Sequence, residues 1–138
     1  MILQRDPRLR QEIQEYGCYY MSILFLVNKY TNFPFSAELI NDLYHVFNKA
    51  GWMDQECTIL NPNAIFGHLK MDVRYTDRHE IPVRRAMHNE VEILRFTSPH
   101  GSHFVVGDGN GNVAYDPYGV SKAVRDGRVE SKRIFRRL

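Results

Sequence analysis

The chain has 138 residues, 43% of them apolar and 25% charged, with 18 basic and 16 acidic side chains balancing to a net +2. A chain of this size and composition forms one domain able to bury a core without metal or disulfide staples, which excludes disordered, collagenous and coiled-coil classes. The near-neutral balance gives no electrostatic case for nucleic acid.

The N-terminal residues Met1 to Arg10 lack the apolar run of a signal peptide, and the most apolar stretch, Met21 to Val27, is far too short to span a bilayer. Two cysteines, Cys18 and Cys57, do not make a disulfide framework. The expectation is a cytoplasmic protein with reduced thiols and no membrane segment.

Helical periodicity begins at Gln11 and pauses at Gly17. From Cys18 to Lys29, Tyr20, Ile23, Leu24 and Val27 share one face, widened by Phe25 and Leu26, which predicts a largely buried helix ending before Pro34. Ser36 is placed to N-cap a second long helix running to Lys49, with Leu39, Leu43, Val46 and Phe47 as its stripe and Gly51 as its stop. Asn61-Pro62 reads as the cap and first turn of a shorter helix over Asn63 to Leu69.

Beyond this point the period falls to two. Strands are expected at Asp72–Tyr75, Val91–Phe96, Ser102–Val106, Val113–Tyr115 and Val129–Phe135. Helices first and an antiparallel meander afterwards make an α+β fold. The basic tail Lys132–Leu138 is expected to be a solvated terminal strand, and the loop Asp77 to Arg85 to shape specificity.

The stretch Ser102 to Pro117 carries the most chemical information. A two-residue turn at Gly109-Asn110 sets His103 directly opposite Asp116, about 5 Å away; a turn at Asn110-Gly111 sets it opposite Tyr118, with Asp116 a diagonal neighbour at about 7–8 Å. Either frame keeps His103 and Asp116 on one face, and a three-residue loop needs a bulge to do the same. Phe104, Val106, Val113 and Tyr115 then point toward the helices, with His103, Val105, Ala114 and Asp116 opposite. A carboxylate beside an imidazole fixes its tautomer and favours its protonated form, as a catalytic base requires.

Cys18 opens the most apolar helix, directly after Gly17. Helix N-termini present unpaired N–H groups and partial positive charge, a setting that favours thiolates, and Gly17 permits close approach of a substrate or the preceding segment. Nucleophile, base and orienting carboxylate thus occur in the order Cys18, His103, Asp116. Gln14 and Gln11 lie just upstream, where a side-chain amide can help hold an oxyanion.

Cys18 at a helix start, His103-Phe104-Val105-Val106 opening a strand and Asp116-Pro117-Tyr118-Gly119 a hairpin later resemble the papain-like cysteine peptidase superfamily, closest to its bacteriocin-leader-processing branch. That resemblance implies a papain-like fold and cleavage of an amide bond in a peptide or protein substrate. The family's glutamine usually stands six residues before the cysteine; here that position is Glu12, and the cysteine is followed by Tyr19 rather than glycine. The rival expectation is a catalytically inactive papain-like fold serving as a protein-binding module.

Other patterns are weaker. Asp108-Gly109-Asn110-Gly111-Asn112 begins like a calcium loop but lacks its later glycine and glutamate. His100 and His103 have no accompanying zinc motif. Cys57 reads as a small core residue. No metal or cofactor is expected.

Overall fold

The computed structural model describes residues 1–79 and 85–138. Four helices come first: α1 (Gln11–Tyr16), α2 (Cys18–Thr31), α3 (Ala37–Ala50) and α4 (Pro62–His68). Five strands follow, β1 (Val73–His79), β2 (Glu90–Ser98), β3 (Gly101–Gly107), β4 (Val113–Tyr115) and β5 (Arg128–Arg137), with a short α5 (Lys122–Asp126) before the last. The molecule is α+β, as its periodicities imply.

The helix boundaries follow from local chemistry. The Ser36 hydroxyl accepts the Leu39 N–H at 3.1 Å, and the Asn61 side chain accepts the Ala64 N–H at 3.1 Å. Gly51 closes α3 at φ 79°, in the left-handed region that costs a glycine nothing. Helix α2 ends earlier than Pro34 demands, because Asn32 takes the left-handed cap itself at φ 59°. A Cβ at Gly17 would stand 2.5 Å from the Ile13 carbonyl oxygen, so the close approach this glycine allows is that of α1.

The sheet is antiparallel in the order β1-β5-β2-β3-β4. It is not the simple meander expected from strand spacing, because the C-terminal strand inserts between β1 and β2. The basic tail is correspondingly not a solvated edge. Ile134 and Phe135 are fully buried, and Lys132 is 1% exposed. The arginines of β5 flank these apolar residues, which disguises a central strand as a charged tail. Of the Asp77–Arg85 segment, residues 77–79 extend β1, and residues 80–84 lie outside the described residues.

One face of the sheet receives the helices. Tyr20, Ile23, Leu24 and Val27 of α2 pack with Ile40 and Phe47 of α3, Phe66 of α4, and Val91, Ile93, Val106 and Phe135 of the sheet. A smaller cluster on the other face joins Leu94, Phe96 and Val105 to Val124 of α5 and to Val129. Helix α5 has no counterpart among the expected elements; its only strong sequence signal is the cap Ser121, whose hydroxyl accepts the Val124 N–H at 3.2 Å.

The β3–β4 hairpin adopts the bulged alternative. Val106 faces Tyr115 while Gly107 faces Val113, so Ala114 is an extra residue on β4. The Asp108 N–H bonds the Asn112 carbonyl at 2.9 Å, closing a Gly109-Asn110-Gly111 loop. The bulge turns Val113 outward, and it is exposed rather than packed on the helices as alternation alone requires. Phe104, Val106 and Tyr115 do pack there.

Candidate active site

The bulge leaves His103 in the frame of Tyr118, and their rings stack with centroids 4.2 Å apart and planes 18° apart. Strand β4 ends at Tyr115, and the chain turns immediately, with the Gly119 N–H bonded to the Asp116 carbonyl at 2.8 Å. The turn swings the Asp116 carboxylate inward. Its Oδ1 lies 2.6 Å from His103 Nε2, and the two side chains are only 2% and 6% exposed.

Asp116 is itself held. Its Oδ1 also accepts the Tyr118 N–H at 2.9 Å, and the buried Ser121 hydroxyl adjoins the same carboxylate. Burial alone would raise the Asp116 pKa, but the hydrogen bonds from His103, Ser121 and Tyr118 outweigh it and keep the group below its ordinary value. Ser121 therefore does two jobs, capping α5 and anchoring the carboxylate. Its N-cap pattern was the available sequence signal for that position.

Because Nε2 is committed to Asp116, Nδ1 is the ring nitrogen left for the neighbouring Cys18 thiol. Burial would lower the His103 pKa; the hydrogen bonds to Asp116 and Cys18 prevail and raise it to about 9. The Cys18 Sγ also accepts the Phe104 N–H at 3.5 Å, which ties the helix start to β3. Cys18 is half-buried, whereas Cys57 is buried and its thiol is pushed up to about 12, by burial first and then by the nearby charge of Asp54. Cys57 is the small core residue its sequence context suggests.

The structure brings Cys18 beside His103, whose ring is bonded to Asp116. The two glutamines are placed differently. Gln14 donates its amide to the Leu9 carbonyl at 2.8 Å, and Gln11 donates to Glu15 at 2.9 Å. Both line a cavity of about 560 Å³ with Arg5 and Tyr118. The N–H groups that begin α2 need no side chain: its first backbone bond runs from Met21 to the Gly17 carbonyl, so the Cys18 amide opens the helix without a backbone acceptor.

Two cavities flank the thiol–imidazole pair. One of about 680 Å³ is lined by Cys18 with Glu15, Tyr19, Glu56, Phe104 and Arg133. The other, about 480 Å³, is lined by His103 with Arg5, Tyr118, Ser121 and Lys122. Ser102 lines both. The N-terminal segment builds part of the second, since the Gln4 N–H bonds the Pro117 carbonyl at 2.8 Å and the Tyr115 hydroxyl bonds the Ile2 carbonyl at 3.2 Å. Nothing in residues 1–10 read alone signals this role.

His100 is turned to Asp126, 2.9 Å away, and among the described residues no group of three or more His, Cys, Asp or Glu side chains is arranged to hold a metal ion. Among the described residues no helix is long and apolar enough to cross a membrane.

A family model described as a protein of unknown function, DUF261, matches residues 1–137, and the chain belongs to that family. No curated protein and no solved structure matches it.

Proposed function

We propose that this DUF261 protein is a cysteine hydrolase of papain-like fold that cleaves an amide bond in a peptide or protein. The observation that carries the reading is the placing of the Cys18 thiol beside the His103 ring, which is bonded to Asp116, with the thiol on a groove and the carboxylate buried behind the ring.

In this reading Nδ1 of His103 takes the thiol proton as Sγ attacks the carbonyl carbon, forming a C–S bond. The tetrahedral intermediate collapses with cleavage of the C–N bond, and the leaving nitrogen takes the proton back from Nδ1. Water then attacks the thioester, giving one proton to His103; the C–S bond breaks and the returned proton restores the thiol. Asp116 keeps the ring oriented and favours the imidazolium. The free Cys18 amide supplies one oxyanion donor, and Gln14 supplies a second when it leaves the Leu9 carbonyl.

The engagement of both Gln14 and Gln11 favours one alternative, a binding module that retains the fold without turnover. Alkylation separates the two. Cys18 of the hydrolase reacts with iodoacetamide at neutral pH, and His103→Ala slows that reaction about 10-fold or more. Burial of Cys57 keeps it out of the measurement, with Cys18→Ser as the control. A Cys18 rate indifferent to His103 would overturn the catalytic pair and leave the module.

A further inference from the structure

The cavity on the His103 side has a composition that the thiol–imidazole–carboxylate chain does not explain. Its walls contain Arg5 and Lys122, and no aspartate or glutamate lines it. Arg5 lies with its guanidinium carbon 4.0 Å above the Tyr118 ring centroid, and the opposite partner in that stack is His103. Among the described residues neither Arg5 nor Lys122 has a carboxylate partner. Other cations of the N-terminal segment do: Arg8 is paired with Asp6 at 2.8 Å and Arg10 with Glu12 at 2.7 Å.

A guanidinium over an aromatic ring makes that contact through a face and not through its N–H groups, which form a fork matched to two oxygens. The adjoining hydroxyls of Ser102 and Ser121 and the Lys122 ammonium extend that polarity around the cavity. Glu15, which with Arg5 lines the neighbouring cavity, already accepts from Gln11.

The two cavities also divide a substrate. The acyl half stays bonded to Cys18, which lines only the larger cavity, whereas the amine half leaves past the imidazole that protonates it. We infer that Arg5, assisted by Lys122, binds a carboxylate on the leaving half of the substrate, so that the preferred substrates carry a free terminal carboxylate or an acidic side chain just beyond the cleaved bond. The assignment of halves rests on the hydrolase reading; the anion site itself does not.

Leaving-half fragments are products and bind without turnover, so the native protein serves. Labelled with 15N, it is titrated with Ala-Ala, Ala-Ala-amide, Glu-Ala-amide and Gln-Ala-amide, following the Arg5 Nε–H and Tyr118 N–H signals. At least one carboxylate peptide binds about 10- to 100-fold more tightly than its amide counterpart. A gap between the first two assigns the terminal carboxylate, and a gap between the last two assigns the side chain. Arg5→Gln abolishes the gap, and Arg5→Lys, which keeps charge without the fork, restores only part of it. Equal binding of acids and amides, no saturable shift with any peptide, or a gap that survives Arg5→Gln would overturn the site. Acylation of Cys18 by a neutral p-nitrophenyl ester, followed by mass, reads the hydrolase separately: a carboxylate gap without acylation keeps the anion site and removes the enzyme, and acylation without a gap does the reverse.

Discussion

Two buried acid–base pairs sit in this sheet region, and they end differently. His103 and Asp116 meet at 2.6 Å; Glu92 and Lys132, on β2 and β5, meet at 3.0 Å with side chains 0% and 2% exposed. The Glu92 carboxylate is saturated, because its other oxygen accepts the N–H groups of Gly109 and Gly111 at 3.0 Å each. That pair clasps the β3–β4 loop and offers no open valence to a substrate. His103 uses one ring nitrogen on its partner and aims the other at a thiol on a groove. Burial and pairing are common to both; the free nitrogen and the cavity separate a structural clasp from a candidate catalytic centre.

The largest expected effects fall on the open pair. Cys18→Ala and His103→Ala each lower peptide hydrolysis by at least about 10⁴-fold, measured with excess protein in single turnover, while the Glu92 pair contributes to stability alone. Residual hydrolysis near the native rate in Cys18→Ala would break the comparison.

Next in size is the closed pair. Glu92→Ala removes the carboxylate that bonds the buried Lys132 ammonium and the Gly109 and Gly111 N–H groups, and costs about 3–5 kcal/mol in urea unfolding. A loss below about 1 kcal/mol would show that Lys132 finds water or another acceptor. Gly107→Ala puts a Cβ into the Glu92 carboxylate and should cost about 1–3 kcal/mol by the same assay.

The pH dependence sharpens the contrast further. Folding raises His103 from its ordinary 6.5 to about 9, so its contribution to stability is fully present below pH 6.5 and is lost as pH rises through about 9. Asp116 is lowered below its ordinary 3.8, so its contribution is present above that value and is lost as pH falls through the depressed one. The stability gap between the native protein and His103→Asn is therefore widest between about pH 4 and 6.5 and closes toward pH 9. A gap that grows with pH would reverse the sign and refute the charged pair.

The smallest effect concerns the anchor. Ser121→Ala removes one hydrogen bond to Asp116 and the α5 cap together, for about 1–2 kcal/mol. Loss of stability from the cap alone would leave the His103 titration, followed by ring NMR, where it is; a downward move of His103 marks the anchoring role.

Much of this was legible in residue order. Ser36, Gly51 and Asn61-Pro62 mark helix ends through bonds that need only neighbouring residues, and these agree with the structure within a residue or two. The pairing of His103 with Asp116 was legible as well, since either two-residue turn, or a three-residue loop with a bulge, keeps the two on one face. The outward turn of Val113 was not, because a bulge answers to loop strain and to the Glu92 carboxylate, which comes from another strand.

Residue order alone determined the α+β class, the helix starts, and the candidacy of Cys18, His103 and Asp116, because caps, periodicity and hairpins act over a few residues. Only the tertiary structure decided that the basic tail is a central strand, that Ser121 and Tyr118 hold the carboxylate, and that Arg5 stacks on the Tyr118 ring. The strand order and the Arg5 stack depend on which distant segments share a desolvated surface, and the hold on Asp116 depends on the turn that the chain takes after β4.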